Sequence, residues 1–301
     1  MVDIERICGL LRQLGCEYRT DARFDALTTF RIGGAIPLLI RPDRVETLRQ
    51  ILRFFRESDE RYFILGRGSN LLAPDGGVDY PVILISDGEF SDIGIDGDTV
   101  TAGAGVLLSK LCTAALDAGL SGLETEYGIP GSVGGGVFMN AGAYGGELAD
   151  TLIRVESVTS DGRLVVRKKE ELAFSYRHSS FTDNGEVVVR ASFRLNKAPQ
   201  EQIRAAMDDY MSRRMNKQPL NFPSAGSVFR RPEGYFAGKL IEDAELKGYS
   251  VGGAQVSEKH AGFIINRGGA TAKDVKDLIA HIQKTVYERF GVLLEPEVLT
   301  L

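Results

Sequence analysis

Residues 122–147 read GLETEYGIPGSVGGGVFMNAGAYGGE. Pro130 opens the densest part, followed by Gly131, Ser132, Gly134, Gly135 and Gly136, then by Asn140, Gly142, Gly145 and Gly146. Glycine loses more backbone freedom on folding than any other residue. Such a run is therefore expected where a main chain must touch something closely. A pyrophosphate set against N–H groups at the start of a helix is one such partner; a flexible surface loop is the other reading. Ile129, Val133, Val137, Phe138 and Met139, threaded among the glycines, oppose a floppy linker.

Upstream, apolar residues at Ile4, Ile7, Leu11 and Leu14 with Gly15 as stop predict a helix over 3–14. IPLLI (36–40) and YFIL (62–65) read as strands around a helix that Asp43 caps and that runs to Phe55. Strand, helix, strand is a parallel crossover unit, and it runs into GRGSNLL (66–72), a glycine loop at the carboxyl end of a strand, where open sheets hold ligands. PVILIS (81–86) and TVTAG (99–103) read as strands around a turn, and a helix follows over 107–116. Downstream of the glycine run, 152–158, 164–167 and 187–195 continue as strands, and a helix spans 201–215 with Ile203, Met207, Tyr210 and Met211 inward. A last α+β segment ends in a helix with a Thr271/Asp274 capping box, a stripe of Val275, Leu278, Ile279, Ile282, Val286 and Phe290, and a closing strand in VLLEPEVLTL.

Composition narrows the class. The chain has 301 residues, 43% hydrophobic and 26% charged, and this suits a globular protein of two or three units. A net charge of -5 advertises neither a nucleic-acid nor an acidic-membrane surface. Cys8, Cys16 and Cys112 have neither metal-ligand nor disulfide spacing and read as reduced thiols in a cytoplasmic protein. Three histidines, His178, His260 and His281, make a histidine metal site an unlikely design, and no metal is expected. No apolar run is long enough for a membrane span, and the acidic N-terminus is no signal peptide.

The GRGSN loop is neither GxxxxGK[ST] nor GxGxxG, so a nucleotide is suggested without either standard signature. Read singly, the candidate side chains have ordinary explanations. Arg177 in SYRHSSF suits an ion pair at a strand end, and Ser227 in PSAGSVFRRP suits a turn. Glu297 in LLEPEV suits an outward position, or, if buried, a carboxyl with a raised pKa. His260 suits packing, and Lys217 and Lys239 suit solvated surface.

Together, TTFRIGG, GRGSNLL, the GLE…GIPGSVGG…MNAGAYG block, SYRHSSF, AGSVF, GKLIEDAELKG, HAGFIIN and GVLLEPEV resemble, in order and from Thr28 to Val298, the UDP-N-acetylenolpyruvoylglucosamine reductase (MurB) family. The resemblance implies an α+β chain with the vanillyl-alcohol-oxidase-like FAD-binding fold. Its expected parts are FAD-binding subdomains at 1–80 and 81–196 and a substrate-binding domain at 197–301, whose extreme C-terminus returns to the active site. The short turn 182–186 matches the subclass without a tyrosine-bearing insertion. One departure stands out: Arg230, Arg231 and Pro232 occupy the place of the family's common Lys-Asn-Pro.

The implied reaction uses NADPH to reduce a non-covalent FAD, which then reduces the enolpyruvyl ether of UDP-N-acetylglucosamine. The resemblance implies catalytic roles for Arg177, Ser227 and Glu297. It implies cofactor contacts from Gly66, Arg67, Gly68, Ser69, Asn70, Gly128, Ile129, Pro130, Gly131, Ser132, Gly134, Gly135, Asn140, Gly142 and Ala143. Lys217, Lys239 and His260 are implied to hold substrate. The partners expected are these small molecules, with no nucleic acid and no membrane. Another FAD oxidase of the same fold, or a non-catalytic nucleotide-binding protein, remains an open alternative, and the oligomeric state is not fixed.

Overall fold

The structure, a computed structural model, describes residues 3–301. Its contacts gather the chain into two units, neither continuous in sequence. One holds residues up to Thr20, Pro37–Arg67 and Asp79–Arg213; the other holds Asp21–Ile36, Gly68–Val78 and Arg214–Leu301. One of these divisions, between Val78 and Asp79, falls beside the boundary expected near 80, whereas none falls near 196, and the last lies between Arg213 and Arg214.

In the first unit the helix Ile4–Leu14 forms as expected. Asp3 accepts the Arg6 N–H at 3.0 Å, and Gly15 ends the helix at φ 63. Ile7 and Leu11 are buried. The helix Val45–Glu57 differs at its start. Glu89 Oε2, not Asp43, accepts the Val45 N–H at 2.9 Å. The reason is a close approach: a Cβ at Gly88 would sit 2.0 Å from the Asp43 carbonyl oxygen, so residues 87–89 fold onto residue 43 and bring Glu89 to the helix end.

The parallel crossover is present with a strand inserted. The sheet order is Glu17–Arg19, Leu39–Arg41, Val82–Leu84, Phe63–Leu65; the first pair is antiparallel and the others parallel. Residues 82–84 thus leave the hairpin expected of them. The hairpin is instead Ile93–Asp96 with Thr99–Gly103. It forms one edge of an antiparallel sheet that continues through Val187–Arg194, Leu152–Val158 and Leu164–Lys168. A single apolar core joins both sheets: Leu48, Ile51, Leu52 and Phe55 of the helix meet Ile40 and Ile83 of one sheet and Val100, Val155 and Phe193 of the other. All are nearly inaccessible to water, and burial of that kind contributes most of the stabilisation.

The second unit has a four-stranded antiparallel sheet, Ser224–Ser227, Phe263–Asn266, Ala254–Val256, Ser250–Val251. The helix Ala272–Phe290 supplies Val275, Leu278, Ile279, Ile282 and Val286 to its core, together with Phe30, Ile32 and Leu72 from earlier segments. Phe290 is on the same stripe but 38% exposed, because the helix continues one turn past the core before Gly291 stops it. The closing segment is a strand only at Leu299–Thr300, which pairs parallel with Leu71–Leu72. Before it the stretch has an isolated antiparallel bridge between Pro296 and Phe229, and proline, with no N–H to donate, does not extend a ladder there. Among the described residues no helix is long and apolar enough to cross a membrane.

The N-terminus of the helix Ala272–Phe290 is capped twice. Thr271 and Asp274 form the expected box, and Asp75 accepts the N–H groups of Ala272 at 2.7 Å and Lys273 at 3.1 Å. Thr271→Ala is expected to lower unfolding free energy by about 1 kcal/mol, read as a shifted urea midpoint with unchanged slope.

Candidate active site

The glycine run folds mostly onto its own unit. Ser132 caps the helix Val133–Phe138 by accepting the Gly135 N–H at 3.4 Å. Val133 and Gly134 donate to the Val106 and Ala104 carbonyls, both at 2.8 Å, and Gly136 donates to the Ser132 carbonyl at 2.7 Å. Gly131 donates to Ile129 at 2.9 Å. The row of amides expected along 128–135 is therefore largely committed within the protein. The glycines themselves sort by cause. A Cβ at Gly134 would come within 2.9 Å of Ala104 Cβ, and one at Gly66 within 2.8 Å of Ser132 Oγ. So the strand-end loop and the Ser132 turn lie against each other, and the protein's own packing demands those two glycines. Gly135 is different. It is exposed, a Cβ there would meet only Ser132 Oγ at 3.6 Å, and its φ is not positive. Nothing in the chain forbids a side chain at Gly135, and its bareness suits a ligand that approaches from outside.

Asn140 organises the next part. It is wholly buried with φ 43, in the left-handed region that asparagine tolerates better than most residues. Its amide nitrogen donates to Glu147 Oε2 at 2.7 Å and to the Ser175 carbonyl at 3.1 Å, and its oxygen accepts the Ala149 N–H at 3.2 Å. Gly142–Ala143 and Gly146–Glu147 pair as a short hairpin between these partners. Ser175 and His178 exchange N–H bonds at 3.1 Å, which closes a tight turn with Arg177 at φ 55. That turn aims the guanidinium back at the run: Arg177 donates to the Gly142 carbonyl at 3.0 Å and the Asn140 carbonyl at 3.5 Å. Arg177 is thus brought to Asn140 and Gly142 from more than thirty residues away in the sequence.

The GRGSN loop falls across the boundary, with Gly66 and Arg67 in the first unit and Gly68, Ser69 and Asn70 in the second. Gly68 sits at φ 62, where a Cβ would stand 2.7 Å from the Leu27 carbonyl oxygen, and its own carbonyl accepts the Thr29 N–H at 3.1 Å. Asn70 donates to the Glu297 carbonyl at 3.2 Å, and the Glu297 N–H donates to the Val228 carbonyl at 2.7 Å. Half-buried Glu297 is therefore held between the loop and the residue that follows Ser227, itself exposed at the end of its strand. Within this unit Asn70, Ser227 and Glu297 lie side by side along the backbone.

Of the substrate candidates, Lys239 is in the helix Ala237–Asp243, ion-paired with Asp243 at 2.5 Å in open solvent. His260 lies against the start of that helix, where a Cβ at Gly238 would stand 3.2 Å from His260 Cε1. Its Nδ1 accepts the Gly262 N–H at 3.1 Å, so the neutral ring carries its proton on Nε2. Burial, reinforced by the charges of Lys247 and Lys217, pushes the imidazole below its ordinary 6.5. Lys217, the exposed last residue of the helix Gln200–Lys217, is close enough to be felt there.

Two supporting residues escape a sequence reading. Glu147 follows the glycine run and looks like solvated charge until Asn140 is seen bonded to it. Asn266, the last residue of HAGFIIN, donates to the Phe30 carbonyl at 3.2 Å and accepts the Gly268 and Ala270 N–H groups at 2.9 and 3.2 Å. It ties that motif to TTFRIGG, and the only sequence signal is an amide at the end of an otherwise apolar strand.

Comparison with known proteins fits this geometry. A family model for an FAD binding domain matches residues 36–167, and one for the C-terminal domain of UDP-N-acetylenolpyruvoylglucosamine reductase matches residues 218–301. The chain is 49% identical over 269 residues to the UDP-N-acetylenolpyruvoylglucosamine reductase of Clostridium perfringens, covering 89% of this chain and 88% of the relative. To that of Pediococcus pentosaceus it is 48% identical over 271 residues, 90% of each. The crystal structure of UDP-N-acetylenolpyruvylglucosamine reductase from Thermus caldophilus superposes with a TM-score of 0.81 at 39% identity, over 95% of this chain and 98% of that one. The fold is thus the α+β, vanillyl-alcohol-oxidase-like one, and it makes the protein an FAD-dependent oxidoreductase. More narrowly, the chain belongs to the UDP-N-acetylenolpyruvoylglucosamine reductase family.

Asn140→Asp keeps the shape of the side chain but turns its donor into a second carboxylate oxygen facing Glu147 and the Ser175 carbonyl. The expected loss is about 3 kcal/mol at neutral pH, smaller at acidic pH where the pair shares a proton, measured by denaturant unfolding at both.

Proposed function

We propose that this protein reduces the enolpyruvyl ether of UDP-N-acetylglucosamine to the D-lactyl ether, UDP-N-acetylmuramate, with NADPH as reductant. The reaction serves cytoplasmic synthesis of peptidoglycan precursors. Residues 197–301 supply the substrate-binding part and Glu297 brings the C-terminal segment to the reacting group. The observation that carries this reading is the docked Arg177, a permanent planar cation whose plane is fixed by two backbone carbonyls.

A non-covalently bound FAD would supply the hydride that adds to the terminal alkene carbon. The chain's residues have to manage what that addition does to the substrate. Negative charge moves from the alkene into the neighbouring carboxylate as an enolate forms. A cation already in place stabilises it without reorganisation, and Arg177 has that character. Glu297, if protonated in a dry site, adds a hydrogen bond to the same carboxylate. Ser227 gives its proton to the carbon next to the carboxylate. A serine hydroxyl is a weak acid in water, and it suffices here because an enolate is strongly basic and the transfer is short. Lys217, Lys239 and His260 hold the diphosphate and sugar. Gly66, Arg67, Gly68, Ser69, Asn70 and the 128–135 turn line the cofactor, and Asn140, Gly142 and Ala143 lie close to it.

Two variants test this. Gly135→Ala has room for its methyl and gains helix propensity of about 1 kcal/mol, so it is expected to fold at least as stably as the parent while retaining less flavin, read from the ratio of flavin to protein absorbance. Full flavin content would remove Gly135 from the cofactor site. Ser227→Ala is expected to keep bleaching of the flavin by NADPH and to slow recolouring by the enolpyruvyl sugar nucleotide by orders of magnitude in stopped flow. Equal slowing of both half-reactions would count against Ser227 as proton donor.

A further inference from the structure

Phe236 is 61% exposed and its neighbour Tyr235 is 48% exposed. Burying a phenylalanine ring is favourable, and the chain forgoes most of that gain here. Looseness does not account for it. The Arg230 N–H donates to the Glu295 carbonyl at 2.8 Å, and the Tyr235 N–H donates to the Pro232 carbonyl at 3.1 Å across a turn whose Gly234 has φ 74. Phe236 itself is the N-cap of the helix Ala237–Asp243, its carbonyl accepting the Lys239 and Leu240 N–H groups at 3.0 and 3.1 Å. The backbone is pinned on both sides of a ring that stands in water.

The ring also has a companion. The guanidinium carbon of Arg231 lies 4.1 Å from the Phe236 ring centroid, a stacking distance for a planar cation on an aromatic face. Arg231 is one of the residues that replace the family's Lys-Asn-Pro pattern. At its level of exposure the ring still offers surface to a second flat group. Four residues before Arg231 is Ser227, and three after Phe236 is Lys239. Lys239's ion pair with Asp243 is solvent-exposed and therefore weak. His260 packs beside Gly238. One short stretch thus presents a flat aromatic plate, an ammonium and an imidazole, the groups that a base followed by phosphates would use in turn.

We propose that Phe236, backed by Arg231, is the plate on which the pyrimidine of the nucleoside diphosphate sugar stacks, and that it is a specificity-determining residue for that substrate. The proposal rests on the reductase reading. NADPH also carries a flat base, so the shared chemistry is a nucleobase on an aromatic face. The pyrimidine is the assigned occupant because the plate shares its segment with Ser227 and with the cations given to the substrate.

The test uses the flavin-loaded full-length protein. Phe236→Ala is expected to raise KM for the enolpyruvyl UDP-sugar by about tenfold or more, with kcat and KM for NADPH little changed. Phe236→Tyr should restore the parent KM. The sequence has no tryptophan, so Phe236→Trp places a single indole at the plate, and UDP should quench its fluorescence saturably, with the enolpyruvyl UDP-sugar competing. A parent-like KM for the sugar nucleotide in Phe236→Ala, a rise confined to the KM for NADPH, or an indole indifferent to UDP would each overturn the proposal. Failure of the reductase reading would look different: the unmutated protein, bleached by NADPH, would not recolour with the enolpyruvyl sugar at all.

Discussion

A single buried amide holds the candidate residues of the first unit together. Asn140 is inaccessible to water, and an unsatisfied amide in that position would cost about 1–3 kcal/mol for each lost partner. Its three bonds run to two stretches of chain, one holding Glu147 and Ala149 and the other Ser175. The hairpin, the short helix that follows it and the turn bearing Arg177 thereby share one fixed point. Arg177 completes the arrangement from the other direction by donating to the carbonyls of Asn140 and Gly142. A guanidinium on a long flexible side chain would ordinarily sample many rotamers. Here the left-handed turn and the two carbonyls restrict that freedom, which is the preorganisation that the role proposed for Arg177 calls for.

The second unit solves a similar problem with backbone rather than with a side chain. Glu297 is held from both sides, through its N–H to Val228 and through its carbonyl to Asn70. The parallel pairing of Leu299–Thr300 with Leu71–Leu72 extends the same attachment. Asn266 adds the cross-tie to Phe30, with all its bonding capacity turned to main chain. The catalytic candidates Ser227 and Glu297 are therefore placed by strand register and neighbouring main-chain bonds.

Much of this was legible from the residues. Helix Ile4–Leu14, helix Ala272–Phe290 with its Thr271/Asp274 box, and the three long strands 152–158, 164–168 and 187–194 are all set by local pattern, and all are found. What local pattern does not carry is partner choice. The strand 82–84 has a sequence that suits a hairpin as well as a parallel slot; it lies in the slot because residues 39–41 and 63–65 flank one there. The start of helix Val45–Glu57 is governed by Gly88 and Glu89, more than forty residues away in the chain, so Asp43 was the reasonable local choice and not the one used. In the site, motif order identified the family and the residue roles now proposed. It could not foresee that Val133 and Gly134 would bond back to Val106 and Ala104, nor that Asn266 would fasten to Phe30, because those bonds join segments distant in sequence; Glu147 lies only seven residues from Asn140, but nothing in its local pattern distinguishes it from a solvated charge.

The discontinuity of the second unit has a consequence for how the chain comes off the ribosome. Phe30, Ile32 and Leu72 belong to a core whose other members, from Ala225 to Val298, are translated much later. At bacterial elongation rates of about 5–20 residues per second, those three side chains wait on the order of ten seconds or more for their partners. In that interval they are sticky surface on a nascent polypeptide. The first unit, whose core closes at Met207, can in principle consolidate sooner. Synthesis thus places the members of the first core on the ribosome's exit side well before those of the second, and leaves two early tongues of chain, 21–36 and 68–78, unfinished until the last third is made.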